Sequence, residues 1–388
     1  MTEKSRLQSF LPPFNRDFLS IFSADFIWGF GAGMVGLFLP IFLFKGLGSS
    51  IFNVIYFYLA SFVLFAFLVP LGAEVMERIN LKRSMIFSLP ALAIYYLAFY
   101  FFNISDKILI LVPGLLAITL FRILYWVPYH IDIAKFGDKT RRATQIAYFS
   151  SISFTAEASA PLLAGFIIEK FGFSIIFFGA AVLAGLAMVP LFFLAPIKEE
   201  YTFSYFQTFR ELFSRKNWRI LIGYGSWGAE EMTGLVIWPV FIFGILKESY
   251  SAVGIVTAAI LFSGTILRII IGRLADGEGK RKLFINGTLL YSIGWIFRML
   301  VASGFEVFLA GAYHSFAGII RGVPLAAFQY EQMHGKGHFI DEYTVLREVA
   351  INIGRIIMLL GFLVLLSFVG VMWTFVLAAI ASFLIRFL

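Results

Sequence analysis

The sequence predicts an all-α integral membrane protein of twelve transmembrane helices, built from two duplicated halves. Three observations predict it. The chain of 388 residues is 60% hydrophobic with only 14% charged residues, and its mean hydropathy is +0.88, far outside the range of water-soluble domains. The apolar residues gather into segments of about 20, the length that crosses a bilayer as helix. Finally, features of the first half recur about 199 residues later (276 − 77 for the acids Glu77 and Asp276). Trp28-Gly29 matches Trp227-Gly228, Pro40 matches Pro239, Phe42 matches Phe241 and Arg122 matches Arg321. A constant register over most of a half-chain marks internal duplication.

Taken in order, residues 1–16 form a polar segment containing proline, without the apolar core and cleavage site of a signal peptide. The predicted spans are 17–44, 52–72, 84–103, 107–131, 142–168 and 172–195, which make up the first half, 17–195. A connecting segment, 196–217, carries an aromatic stripe of Tyr201, Phe203, Tyr205, Phe206, Phe209, Leu212 and Phe213 with Arg210, Arg215 and Lys216 nearby. That pattern predicts an amphipathic helix lying on the inner leaflet, with a ligand or partner site as the alternative. The second half, 218–388, holds spans at 218–245, 250–272, 283–304, 306–330, 342–367 and 369–387. Under a cytoplasmic N-terminus, 21 of the 31 Lys and Arg residues fall in inside loops and termini, and only Lys45, Lys107, Lys170 and Lys247 fall outside. This bias predicts a cell-membrane protein with both termini in the cytoplasm. The net charge of +8 is therefore a topology signal and does not point to nucleic acid.

Two charged loops carry a common pattern. Gly272-Arg-Leu-Ala-Asp276-Gly-Glu-Gly279-Lys280-Arg281-Lys282 joins two apolar segments, and Ala73-Glu-Val-Met-Glu77-Arg78-Ile-Asn80-Leu81-Lys82-Arg83 occupies the duplicate place. Glycines allow the tight turn, the acid accepts hydrogen bonds from a helix end or an arginine, and the cations hold the loop inside. Asn80 stands where the second copy has Gly279, as suits a left-handed backbone. The first of these loops resembles the Gly-x-x-x-Asp-x-x-Gly-(Arg/Lys)-(Arg/Lys) signature of the major facilitator superfamily, found there between helices 8 and 9. The resemblance implies two pseudo-symmetric six-helix bundles rocking about a central site. It also implies a monomer, and a cavity lined by helices 1, 4, 7 and 10.

On those four helices the chain carries Asp25; Arg122, Tyr125, Trp126, Tyr129, His130 and Asp132; Glu230 and Glu231; and His314, Arg321 and Glu331. Charges in hydrocarbon are costly and face a cavity or a partner. Arg122 and Arg321 occupy duplicate positions, so they either converge on one solute or each locks to a carboxylate such as Asp25 or Glu230. Adjacent Glu230 and Glu231 point about 100° apart on a helix, so at most one aims squarely at the cavity. One of them is the expected proton carrier, with Asp25 as second candidate. The superfamily's antiporters often place Gly four residues after an Arg in helix 4, whereas Trp126 stands there, which weakens a proton role for Arg122.

The fifth span contains Ala156-Glu157-Ala-Ser-Ala160-Pro161-Leu-Leu-Ala164-Gly165, small residues at four-residue spacing around a proline. It resembles the Gly-x-x-x-Gly-Pro-x-x-Gly-Gly stretch of drug and metabolite antiporters, with Ala at three of the Gly positions; ordinary close packing is the alternative. The eleventh span carries Arg347, Glu348, Asn352 and Arg355 at helical spacing, read either as a latch closing the inner gate or as substrate contacts. His130, His314, His334 and His338 lack a metal-ligand pattern, no phosphate-binding glycine loop is present, and zero cysteines remove thiol chemistry. No cofactor and no enzyme activity are expected. The sequence reading is a secondary transporter for a small organic solute, coupled to H⁺ and working by efflux. Uptake of an anionic solute by symport is the runner-up, and a non-transporting receptor or scaffold is the alternative of another class.

Overall fold

The computed structural model describes residues 16–102, 107–136, 142–196, 201–264, 280–334 and 340–388, with backbone alone at 108, 132–136, 142–155, 157, 280, 326, 327 and 329–334. Within these residues the chain is helical and has no strand. In order, the helices are α1 (Arg16–Gly36), α2 (Leu39–Gly46), α3 (Ile51–Ile79), α4 (Leu81–Tyr100), α5 (Lys107–Phe136), α6 (Arg142–Phe171), α7 (Phe173–Leu186) and α8 (Met188–Leu191). After the short connecting helix α9 (Tyr205–Leu212) follow α10 (Trp218–Met232), α11 (Trp238–Ile245), α12 (Tyr250–Ser263), α13 (Lys280–Met299), α14 (Gly304–His334), α15 (Ile340–Phe368) and α16 (Met372–Leu384).

Seven helical stretches among the described residues are long and apolar enough to cross a membrane, and Tyr250–Ser263 and Met372–Phe387 are shorter apolar helices. The molecule's outside agrees with a lipid solvent. Leu109, Phe171, Leu300, Phe305 and Phe368 all point outward. In water such a surface would aggregate, whereas hydrocarbon accepts it and leaves backbone bonding to the helices themselves.

The helix boundaries repeat. Leu39–Gly46 and Trp238–Ile245 are 199 residues apart at both ends (238 − 39), as are Leu81–Tyr100 and Lys280–Met299. The starts of α3 and α12, and of α7 and α16, share that offset. Packing repeats with it: α4 lies on α5 and α7 as α13 lies on α14 and α16, and α1 lies on α6 as α10 lies on α15. Two large contacts join the halves, α3 with α15 and α6 with α12, and the offset converts each into the other.

The first and seventh expected spans differ from the sequence reading in one way. The first is interrupted by a turn at Leu37–Phe38, and the seventh stays helical but widens into a π-helical turn at Thr233–Ile237. The cause is Pro40 and its counterpart Pro239, each in the first turn of the following helix. A proline supplies no N–H, and its ring collides with the carbonyl four residues back.

The charged loop in the first half is a sharp helix–helix junction. Asn80 takes φ 75°, the positive φ expected of it, and its side chain accepts from the Arg83 N–H at 3.0 Å to cap α4. Asn80→Ala is expected to lower stability by roughly 1–2 kcal/mol, through loss of the cap and strain at positive φ. Asn80→Gly is expected to lose only a few tenths, and thermal unfolding in detergent separates the two. Lys82 Nζ donates to the Phe192 carbonyl at 2.8 Å. Glu77, Arg78 and Arg83 lie at the same helix ends. Gly272, Asp276 and Gly279 of the second loop lie outside the described residues, as does the Lys280 side chain; Arg281 begins the exposed edge of α13.

The connecting segment places part of the expected aromatic stripe on a short helix with one side buried and one open. Tyr201, Thr208 and Leu212 are buried, but Phe206 is 82% exposed and Phe213 points outward. Helix α9 has only eight residues, and its inner side seats on α3 and α15, where Phe209 meets Phe67. Thr202 donates through both its N–H and its hydroxyl to Glu342 of α15. Burial raises the Tyr201 hydroxyl pKa above the usual phenol range.

Candidate functional site

The site is assembled by a close helix crossing. Helices α10 and α15 meet at Gly225 and Gly354, so closely that a Cβ on Gly354 would overlap the Gly225 carbonyl. One turn along, a Cβ on Gly228 would overlap the Ile351 carbonyl. Only glycine permits this approach, and the residues that follow it, Glu230 and Glu231 on α10 and Arg355 on α15, are held at fixed angles. Glu231 Oε2 accepts from Arg355 Nη2 at 2.7 Å and Nε at 3.2 Å. Asn352 Oδ1 accepts from Arg355 Nη1 at 3.0 Å, and the Asn352 amide is itself held by the Glu348 carbonyl at 2.7 Å.

Across the contact between the halves stands Arg122 of α5. Its Nη1 donates to Ser61 Oγ of α3 at 2.7 Å, and its guanidinium lies 4.8 Å from the centre of the Phe62 ring. The Arg355 guanidinium lies 4.8 Å from the same ring. Phe62 is therefore shared by one arginine from each half, its ring face offering the negative lobe of its quadrupole to each. Among the described side chains no carboxylate lies in ion-pair reach of Arg122, while Glu231 serves Arg355. The Glu231 side chain is 44% exposed, against 4% for Glu230. Two guanidiniums thus face one accessible carboxylate, an arrangement suited to holding a planar anion by forked hydrogen bonds.

Arg321 does not share this place, which corrects the expectation that it and Arg122 converge on one solute. Its Nη1 pairs with Glu230 at 3.0 Å and reaches Ser382 at 3.4 Å, and its guanidinium stacks 3.6 Å from the Tyr291 ring centre, all within the second half. The reading of an arginine locked to a carboxylate holds for Arg321 and Glu230. Arg355 is the residue that faces Arg122. His314 sits beside Arg321, packed on Tyr291 and Trp295, away from Arg122.

The remaining residues line the first half's inner face. Trp28 Nε1 donates to Tyr125 Oη at 2.8 Å, Tyr125 stacks on Tyr129, and Tyr129 donates to Asp25 Oδ2 at 3.3 Å. Trp126 stacks on His130, whose Nε2 lies 3.7 Å from Glu348 of the other half. Arg347 pairs with its own neighbour Glu348 at 3.3 Å and lies over Tyr224 and Trp227. Its expected partner Asp276 lies outside the described residues, as do the Asp132, Glu157, Glu331 and His334 side chains and all of His338.

In the fifth-span motif, α6 runs through Pro161 without a break. Ala160 is buried, Gly165 has no room for a Cβ, which would lie 2.6 Å from the Tyr250 carbonyl oxygen, and Gly254 of α12 abuts the Pro161 carbonyl. The stretch is thus a seam between the halves. At the same end of the molecule Lys45 bridges to Glu248 at 2.5 Å, Lys107 donates to the Gly46 carbonyl, and Glu169 caps the Ser251 N–H at 3.0 Å. Residues that the charge count puts outside are gathered there. The hydrogen bond to Glu248 raises the Lys45 pKa above its usual 10.5. A raised folded-state pKa means this contribution is complete below that value and fades as pH rises through the folded one.

Sequence reasoning missed Ser61, Phe62, Tyr291 and Trp295. Phe62 is one of 48 phenylalanines and carries no local mark. Arg298 was missed as well, although a charge within a predicted span is a signal that could have found it.

No protein-family model matches the chain. It is similar to the uncharacterized protein YqgE of Bacillus subtilis (strain 168), with 24% identity over 367 residues, covering 91% of this chain and 83% of that protein.

Proposed function

We propose that the chain is a secondary transporter of the facilitator type, carrying a small organic anion together with H⁺ across the cell membrane. The observation that carries this reading is the pair Arg122 and Arg355, one from each half, on the two sides of the contact at Phe62. A solute held by both is held by both halves, which is what alternating access requires. Twelve spans in two six-helix bundles are supported by the 199-residue repeat of helix boundaries and by the matched contacts α3–α15 and α6–α12. Termini in the cytoplasm are supported by the Lys/Arg bias, and a monomer by the resemblance of the Gly272–Lys282 loop to the facilitator signature.

The mechanism follows from charge. With Arg122 and Arg355 protonated and Glu231 ionised, these three side chains sum to one positive charge. An entering carboxylate accepts from Arg355 and takes the place of the Glu231 oxygen. The half-exposed Glu231, left without its partner, binds H⁺. The three side chains and solute again sum to one positive charge, so the loaded site is no costlier to carry through hydrocarbon than the free one. Glu230, sealed against Arg321, is a strut in this scheme and Glu231 the proton carrier. Coupled binding of anion and proton favours symport over efflux. Efflux by exchange remains the second reading, favoured by the Ala156–Gly165 seam and its likeness to antiporters.

Liposomes holding a pH-sensitive dye test this with anionic, zwitterionic and cationic solutes. Monocarboxylates are expected to carry protons inward. Glu231→Gln should retain anion exchange and lose proton movement, while Glu230→Gln should lower stability instead. Proton movement triggered only by cations, or unchanged in Glu231→Gln, would sink the reading.

A further inference from the structure

A second polar cluster lies wholly within the second half, apart from the Arg122–Arg355 site. Helix α13 supplies Tyr291, Trp295 and Arg298, α14 supplies His314 and Arg321, and α10 supplies Glu230. The His314 ring lies against Tyr291 at 3.8 Å and Trp295 at 4.5 Å between centroids. It occupies room that Gly294 leaves free, since a Cβ there would stand 2.6 Å from His314 Nδ1. The Arg298 guanidinium sits 4.4 Å from the Trp238 ring centre and 5.0 Å from that of Trp295.

Five buried polar atoms here have no hydrogen-bond partner: Trp295 Nε1, Arg298 Nε, His314 Nδ1, His314 Nε2 and Arg321 Nε. They are more than half of all such side-chain atoms among the described residues, so the concentration itself asks for an explanation. Three of them, on Trp295, Arg298 and Arg321, are donors that can never accept. The charges agree with the donors. Arg298 and Arg321 bring two positive charges, and Glu230 is the carboxylate paired within the cluster. A group that accepts several hydrogen bonds and carries one negative charge answers both the donor surplus and the charge surplus. Water answers only the first.

We propose that this cluster is an anion-binding site, taking a small inorganic anion or a single carboxylate group against Arg298, Trp295 and His314, beside the Arg321–Glu230 pair. Trp295, His314 and Arg321 are buried while Arg298 is half-buried, so the ligand enters at Arg298. Helices α10 and α14 both contribute, so an anion bound here draws Arg321 away from Glu230 or tightens the pair around a third partner. It would modulate the helix that carries Glu231 without touching the Arg122–Arg355 site.

The inference does not depend on transport, and its test reads binding alone. Purified protein in neutral detergent is titrated with chloride and with formate at constant ionic strength, isethionate, a bulky sulfonate, being the balancing anion. Tryptophan emission and melting temperature are followed. A saturable change in emission is expected, from Trp238 and Trp295 flanking Arg298, with a rise in melting temperature of about a few degrees. Arg298→Gln should weaken the apparent affinity roughly tenfold or more, the loss of a charge-assisted bond. Arg298→Lys keeps the charge without the fork and should fall between, guarding against a misfolded Gln variant. Lys170→Gln, an exposed cation outside both arginine sites, should change nothing. Formate outcompeting chloride assigns the site to a carboxylate, and the reverse assigns it to an inorganic anion. The proposal is overturned if no anion gives a saturable response, because water then fills the donors. It is also overturned if Arg122→Gln abolishes the response and Arg298→Gln leaves it.

Discussion

Gly354→Ala is expected to destabilise the protein by about 3 kcal/mol, the upper range for overpacking. The added Cβ would overlap the Gly225 carbonyl, a backbone atom that cannot rotate aside, so α10 and α15 must separate. Helix propensity runs the other way, since alanine is favoured over glycine by only about 1 kcal/mol. Sterics win. Gly228→Ala should behave alike, against the Ile351 carbonyl. The duplicate position supplies the control: Gly29 has nothing within 4 Å of its would-be Cβ, so Gly29→Ala should be neutral or stabilising. Melting temperatures of the three variants in one detergent decide it, and equal values for Gly228→Ala and Gly29→Ala would refute the argument. The crossing also aims Arg355 at Glu231, so any Gly354→Ala protein that does fold should have lost anion binding in proportion.

Arg355→Gln should weaken binding of an anionic solute by about 2 kcal/mol, or roughly thirtyfold, the loss of hydrogen bonds to a charged partner. Arg355→Lys should recover little of this. A single ammonium cannot hold Asn352 Oδ1 and present a fork to Glu231 Oε2, or to the solute that replaces it, in fixed directions as a planar guanidinium can. Phe62→Leu should produce a smaller loss in which both arginines take part, because the ring is their common support. Concentration dependence of anion-driven flux, with Arg321→Gln as comparison, reads these effects. Arg321→Gln should lower stability more than affinity, since it strands the buried Glu230. Full affinity in Arg355→Gln would move the anion site elsewhere.

Several features were legible because they act over a few residues. Apolar segment length marked the helices and Asn80 marked a positive-φ junction. The turn before Pro40 and the π-helical turn before Pro239 were not read from the sequence, since a proline within an apolar run can kink, end or begin a helix. The duplication was legible too, because a constant offset survives where residue identity does not. The aromatic stripe of 201–213 was legible in part: Tyr205, Phe206, Phe209 and Leu212 share one side of α9, whereas Tyr201 and Phe203 precede the helix.

By itself, then, the sequence determined an all-helical chain with membrane-crossing segments, its repeat, and the short set of charges placed inside hydrocarbon. Which charge meets which was decided only by the tertiary structure. Glu230 and Glu231 are adjacent, yet they pair with Arg321 on α14 and Arg355 on α15, because about 100° of helix turn separates them. Arg122 and Arg321 hold duplicate positions, yet one shares a ring with Arg355 and the other is sealed against Glu230. Partnerships of this kind depend on how far each helix rotates and how closely its neighbours approach. Those quantities are set where Gly225 and Gly354 bring two backbones together, and no local pattern of residues encodes them.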